Sequence, residues 1–378
     1  MTTYLFPGQG SQVKGMGASL FDEFPEADAQ ASSILGYSIK TLCLENHDNQ
    51  LQQTQYTQPA LYVVNALAYQ HKLKQTGRQP DYLVGHSLGE YNALQAAGAF
   101  SFEEGLRLVT ERGKLMSQAP KGAMAAVLGM DAEAVQQQLQ INNLSGVDIA
   151  NYNAPTQTVI AGLQDDLVKA KAVFEQAGGL FVPLKTSGAF HSRYMAPIKT
   201  AFADFINTIQ FSQLQIPVIS NVYAEPYQLD DIANNLIEQL THSVNWVENI
   251  NYLLRQGETV FEELGVGNVL TKLTQKIQTE FNKVPRQAPS TTKQIEQPDW
   301  EKTLKAVQQR VADWNSSHPV GSQVHAVGYE QTLTTRTPAI VLFGHRAVTY
   351  MEGYNGYFSL DEITPITTNT TVIEGETR

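Results

Sequence analysis

The stretch Tyr82-Leu83-Val84-Gly85-His86-Ser87-Leu88-Gly89-Glu90 constrains this chain more than any other. A short apolar run enters a turn with glycine on both sides of a serine, and a small-residue helical pattern leaves it through Ala97. Flanking glycines permit a sharp strand-to-helix turn that projects the serine hydroxyl out of the fold. The helix start that follows offers main-chain N–H groups and a positive dipole end to a developing oxyanion. The pattern G-x-S-x-G in this setting makes Ser87 a candidate nucleophile. It also describes a plain turn with a capping serine.

The segments around this turn extend the α/β reading. Residues 1–122 alternate short apolar runs with helical patterns, which predicts parallel strands. Residues 3–6 read as a strand running into Gly8-Gln9-Gly10, and residues 59–73 as a helix through Leu61, Val64 and Leu67. Ser101 with Glu104 forms a capping box that opens a helix bearing Leu106, Val109 and Arg112. The rhythm then changes. Strands at 124–128, 147–151, 158–161 and 180–184 alternate with helices at 131–140 and 165–178, the β-α-β-β-α-β order of a ferredoxin-like unit. After residue 191 the α/β rhythm resumes, with strands at 217–220 and 260–264.

The predicted architecture is therefore a large α/β-hydrolase-like domain with a parallel sheet, built from residues 1–122 and 191–284. A ferredoxin-like subdomain, residues 123–190, is inserted in it. Residues 287–298 are rich in Pro, Ser, Thr and Gln, which places a linker over 285–299. Residues 300–378 read as one helix, spaced through Leu304, Val307, Val311 and Trp314, and a small β-rich module, a barrel or ribbon, with a loose last dozen residues.

Composition narrows the partners. With 26 basic and 37 acidic residues in 378, the net charge of −11 argues against nucleic acid. An anionic substrate then needs a local cation. The N-terminus lacks the basic and long apolar regions of a signal peptide, and no apolar run is long enough to span a membrane. Cys43 is the only cysteine, so an internal disulfide is impossible. The expected location is the cytoplasm.

A nucleophilic serine needs a base. Among the eight histidines, His191 lies in Gly188-Ala189-Phe190-His191-Ser192, just after a predicted strand, where α/β sites gather side chains. His86 adjoins Ser87, and neighbours on a tight turn diverge. A lone histidine is also a common structural residue, and no acid between Ser87 and His191 stands out as a third member. Arg112, late in an otherwise apolar helix, has the planar fork that suits bidentate carboxylate binding. A solvated arginine near a helix C-terminus fits the same local pattern.

Taken together, Phe6-Pro7-Gly8-Gln9-Gly10-Ser11-Gln12, the Ser87 turn, Arg112-Gly113 with Met116, Asn151-Tyr152-Asn153-Ala154-Pro155, the His191 segment and Gly265-Val266-Gly267-Asn268-Val269-Leu270 occur in one order. Over residues 2–281 this resembles the malonyl-CoA:acyl carrier protein transacylases, and most of all the free-standing acyltransferases that serve polyketide synthases in trans. The resemblance implies malonyl transfer from malonyl-CoA to the phosphopantetheine thiol of an acyl carrier protein, in polyketide or fatty acid synthesis. Polyketide synthase modules would be a further partner, and no metal or cofactor is required. It implies Ser87 as nucleophile, His191 as base, the N–H groups of Gln9 and Leu88 as oxyanion hole, and Arg112 as holder of the malonyl carboxylate, with Met116 beside it. It also implies a main-chain carbonyl that orients the histidine, placed at Asn245 in Ser243-Val244-Asn245-Trp246, although the family often has proline where Ser243 stands. Phe190 would favour malonyl over branched units by filling space at the α-carbon; ordinary core packing is the other reading. The alternative activity is an acyl hydrolase of the same fold. In the tail, His325, His345 and Arg346 read as surface or packing residues.

Overall fold

The computed structural model describes residues 2–283 and, between 300 and 366, all but 327, 328, 330, 343–345, 354–356 and 362. The expected linker and the last dozen residues lie outside the described residues, as does His345. Contacts divide the chain into two units, Met1–Pro285 and Arg286–Arg378.

In the first unit, a parallel sheet runs in the order β7 (Val218–Ile219), β2 (Tyr82–Gly85), β1 (Thr2–Phe6) and β8 (Val260–Glu263). Tyr4, Leu5 and Phe6 are buried in succession, the unbroken apolar run of a strand covered on both faces. The β1–β2 register matters for the site. It sets Phe6 opposite Gly85, so both strands end together. The His86 N–H then donates to the Phe6 carbonyl at 3.0 Å, and the Gly8-Gln9-Gly10 turn lies beside the Ser87 turn. Gly89 is required here, because a Cβ at that position would lie 2.0 Å from the Phe6 carbonyl oxygen.

The helices Thr54–Thr76 and Phe102–Gln118 pack against one another next to this sheet. Gly113 allows the close approach: a Cβ there would meet the Thr54 carbonyl oxygen at 3.0 Å. The first helix begins earlier than expected and holds Pro59 inside it. Proline lacks one N–H, but the face around it, including Leu61, Val64 and Leu67, is fully buried, and that burial outweighs one lost bond. The capping box of Ser101 and Glu104 is present as expected.

The inserted unit has an antiparallel sheet in the order β4 (Val147–Ala154), β5 (Gln157–Gly162), β3 (Ala123–Leu128), β6 (Leu180–Pro183). The helices Ala132–Ile141 and Gln164–Gln176 fall between strands as the ferredoxin-like pattern requires. Val127, Val135, Ile160, Leu167 and Phe174 make a core of its own.

The second unit comprises the helix Trp300–Ser317 and two antiparallel three-stranded sheets. One orders β10 (Leu333–Thr334), β9 (Gln323–Ala326) and β14 (Ile363–Pro365); the other orders β11 (Ile340–Leu342), β12 (Arg346–Tyr350) and β13 (Tyr357–Ser359). A bridge between Thr335 and Met351 links the two sheets. Val307, Val311 and Trp314 pack on a core that includes Val324, Leu333, Met351 and Phe358. His325 is exposed.

Candidate active site

Ser87 sits between the end of β2 and the helix Gly89–Ala96 with a φ of +53°. An L-residue adopts that conformation only when its surroundings enforce it. Here Asn221, just after β7, does so from both sides. Its side-chain oxygen accepts the Ser87 N–H at 2.6 Å, and its side-chain nitrogen donates to the Gly85 carbonyl at 2.6 Å.

His191, 104 residues away in sequence, also has a positive φ, +56°. Its Nε2 lies 2.7 Å from Ser87 Oγ. The other ring nitrogen, Nδ1, lies 2.8 Å from the main-chain oxygen of Gln239. A carbonyl only accepts, so Nδ1 carries the proton and Nε2 presents its lone pair to the hydroxyl. Burial and the nearby Arg112 charge push the imidazole pKa down to about 3, which keeps it neutral near pH 7 with the Nε2 lone pair free.

The carbonyl expected at Asn245 is thus a correction: it belongs to Gln239. The segment around Asn245 is committed elsewhere. The Val244 carbonyl accepts the Tyr152 N–H of β4, and the Asn245 carbonyl accepts the Asn249 N–H at the start of the helix Trp246–Arg255. Sequence spacing could not distinguish a carbonyl that opens a helix from one left over in the last turn of the helix Ile232–Gln239.

Arg112 is 1% exposed. Nη1 donates to Gln58 Oε1 at 2.9 Å and Nη2 to Gln239 Oε1 at 2.8 Å, while a longer 3.4 Å contact reaches Ser87 Oγ. The guanidinium lies 5.3 Å from the centre of the Tyr91 ring. Its hydrogen-bond partners are neutral: Nη1 keeps a second N–H, and the second N–H of Nη2 makes only the longer contact to Ser87 Oγ, which leaves room for a carboxylate beside the serine. Met116 is one step removed: its sulfur meets Gln58 Nε2 at 3.2 Å.

The remaining predicted residues fall as follows. Gln9 is held by its side chain on Thr54 Oγ1 at 3.2 Å. Among the described residues no protein acceptor takes the main-chain N–H of Gln9 or Leu88. Phe190 is buried in the main core, its ring against Gly188. His86 points away from the hydroxyl, bonding Asn153 Oδ1 at 2.8 Å and packing on Trp246. Sequence reasoning missed Gln58, Asn221 and Gln239, which have no motif; Glu90 stood inside the serine motif without a role. A cleft of about 480 Å³ opens next to the serine turn at His86, lined among others by Gly8, Gln9, Asn153, Lys185 and Leu270.

A serine hydroxyl bonded to a neutral imidazole, with a buried arginine at its side, is an arrangement suited to acyl transfer through a serine ester. The chain belongs to the acyl transferase domain family, whose model matches residues 3–312. It is 54% identical over 287 residues to a polyketide biosynthesis malonyl CoA-acyl carrier protein transacylase of Bacillus velezensis, covering 75% of this chain and 99% of the relative. The crystal structure of the malonyl CoA-acyl carrier protein transacylase from Burkholderia pseudomallei superposes with a TM-score of 0.72 at 47% identity, covering 74% of this chain and 98% of that one. A malonyl-transacylase solved in complex with a type II polyketide synthase acyl-carrier protein is also similar, with a TM-score of 0.70 at 35% identity over 73% of this chain and 92% of that one.

Proposed function

We propose that this protein moves malonyl from malonyl-CoA to the phosphopantetheine thiol of an acyl carrier protein in polyketide synthesis. The observation that supports it most is the convergence of Ser87, His191 and Arg112 around one hydroxyl oxygen. Malonyl differs from most acyl groups by a free carboxylate, and Arg112 supplies a desolvated cation beside the nucleophile.

The chemistry then follows in two half-reactions. His191 Nε2 takes the Ser87 proton as Oγ attacks the thioester carbonyl, while Nδ1–H stays on the Gln239 oxygen. The Gln9 and Leu88 N–H groups receive the carbonyl oxygen as it becomes negative. Coenzyme A leaves with the proton from His191, and malonyl remains as an ester on Ser87. The carrier thiol gives its proton to His191 and attacks the same carbonyl, and Ser87 leaves reprotonated. The cleft offers a path for the pantetheine arm, with Phe190 next to His191 in sequence favouring the unbranched acyl unit. A thioester is already activated, so these side chains supply the acid-base and electrostatic terms.

A hydrolase for neutral chains would gain nothing from a buried cation at this place. Ser87, Arg112, His191 and Gln239 all come from residues 1–122 and 191–284, so the division into catalytic domain, subdomain 123–190 and C-terminal extension assigns the acid-base chemistry to the first alone. Among the described residues no helix is long and apolar enough to cross a membrane. Cytoplasmic placement belongs to the same reading, supported by the free, buried Cys43. Intact-mass spectrometry after incubation with malonyl-CoA tests the proposal. One malonyl adduct should appear on the protein and none on Ser87→Ala; an adduct retained by that variant would refute the nucleophile.

A further inference from the structure

Glu90, three residues after the nucleophile, is fully buried and has no part in the steps above. Its Oε1 accepts the Asn221 N–H at 2.6 Å, and its Oε2 accepts from Gln239 Nε2. Gln239 is the hub of the site. Its Oε1 faces Arg112, its Nε2 also donates to the Ser87 carbonyl at 2.9 Å, and its main-chain oxygen orients His191.

We propose that Glu90 is a positioning residue for malonyl recognition: its carboxylate holds the Gln239 amide in the one orientation that turns the amide oxygen onto Arg112 and so fixes the guanidinium for the substrate carboxylate. This rests on the malonyl-transfer reading and adds to it the residue that sets the arginine.

Donors and acceptors decide the orientation of the Gln239 amide. A primary amide can flip by 180° with little change of shape, exchanging an acceptor for a donor. Arg112 has donors only, so a flipped Gln239 would oppose N–H to N–H inside a buried site, at the cost of an unsatisfied polar group. An ionised carboxylate accepts only, and on the far side of the amide it accepts the NH₂ group and rejects the oxygen. The Ser87 carbonyl, also an acceptor, agrees. With both N–H bonds of Gln239 taken, the amide has no second arrangement.

The charge is placed to match. A carboxylate bonded directly to Arg112 would occupy the donors that the substrate needs. Glu90 stands one amide away, so it offsets the buried cation without competing for its N–H bonds. Burial raises the Glu90 pKa to about 7, whereas the Asn221 N–H, the Tyr227 hydroxyl, Gln239 and Arg112 favour its ionised form.

The test is Glu90→Gln in the full chain, with kcat/KM measured separately for malonyl-CoA and acetyl-CoA. Glutamine replaces one oxygen with NH₂, so either Asn221 or Gln239 meets a donor with a donor. The malonyl-to-acetyl ratio should fall at least tenfold. In an Arg112→Ala background the same substitution should leave the ratio where Arg112→Ala alone puts it. Parallel losses for both substrates, an unchanged ratio, or independent additive effects in the double variant would overturn the proposal. Should Glu90→Gln not fold by circular dichroism, Gln239→Leu is measured in the same way. It removes the relaying amide but leaves the main-chain oxygen on His191, and an unchanged ratio there overturns the proposal equally. A wild-type protein that takes up no malonyl would instead refute the function itself.

Discussion

The α/β domain and the inserted subdomain bury different things. In residues 123–183 the core is aliphatic and aromatic, with Val127, Val135, Ile160, Leu167 and Phe174 at its centre. Around the site, Ser87, Glu90, Arg112, Asn221 and Gln239 are all buried and hydrogen-bonded to one another. Apolar packing is non-directional and tolerant of detail, whereas a buried polar group must meet its partner in geometry or lose its solvation without return. The first kind of core holds a wall of the cleft in place. The second fixes Ser87, Arg112 and the Gln239 carbonyl that faces His191 in one mutual geometry.

The contrast can be broken most directly at Arg112. Losing the buried ion pair between the guanidinium and the malonyl carboxylate costs about 3–5 kcal/mol, so Arg112→Ala should reduce malonyl transfer a hundredfold or more and acetyl transfer little. Equal losses, read by kcat/KM for the two thioesters, would make the arginine structural. In the subdomain the expectation reverses. Phe174→Ala should lower stability by about 3–5 kcal/mol through cavity formation, seen as a shift in the denaturation midpoint, while the folded fraction keeps its acyl selectivity. A large change of selectivity would show that the two cores are coupled.

Asn221→Ala lies between these extremes. It frees the Ser87 N–H and the Gly85 carbonyl, costing about 1–3 kcal/mol for the group left unsatisfied. The rate for both acyl groups should drop together, because the strained turn loses its brace. A change confined to malonyl would place Asn221 on the arginine side of the network instead.

The smallest expected effect concerns pH. His191 has a pKa near 3 in the folded chain, against an ordinary imidazole near 6.5. Acetyl loading, which bypasses Arg112, should therefore stay level from pH 7 down to 5 rather than fall with a midpoint near 6.5. The stability sign follows from the same shift. Below pH 6.5 the unfolded chain takes up a proton that the folded chain refuses, so this contribution is complete above 6.5 and is lost as pH falls toward 3. A rate limb centred near 6.5 would mean that His191 is solvated.

The serine turn was legible because a sharp strand-to-helix reversal admits few residue types, and glycines at 85 and 89 advertise it. The subdomain was legible for another reason: alternation of apolar and polar residues reports which face of a strand is covered. In the tail, helical spacing and β-rich alternation were legible, but no chemical motif was, and several of its residues lie outside the described ones. Family resemblance supplied the idea of a carbonyl behind His191 but put it at Asn245, since every residue has a carbonyl and sequence does not say which one a helix consumes.

What the sequence determined by itself was the set of local elements, the nucleophile's turn and the type of chemistry that serine, histidine and arginine can perform together. Only the tertiary structure decided which carbonyl orients His191, and that Gln58, Gln239, Asn221 and Glu90 form the polar frame around it. Periodicity and turn chemistry act between near neighbours in the chain. Hydrogen-bond satisfaction in a buried site acts between residues up to 152 positions apart, as between Gln239 and Ser87, and is fixed only when the strands and helices have packed.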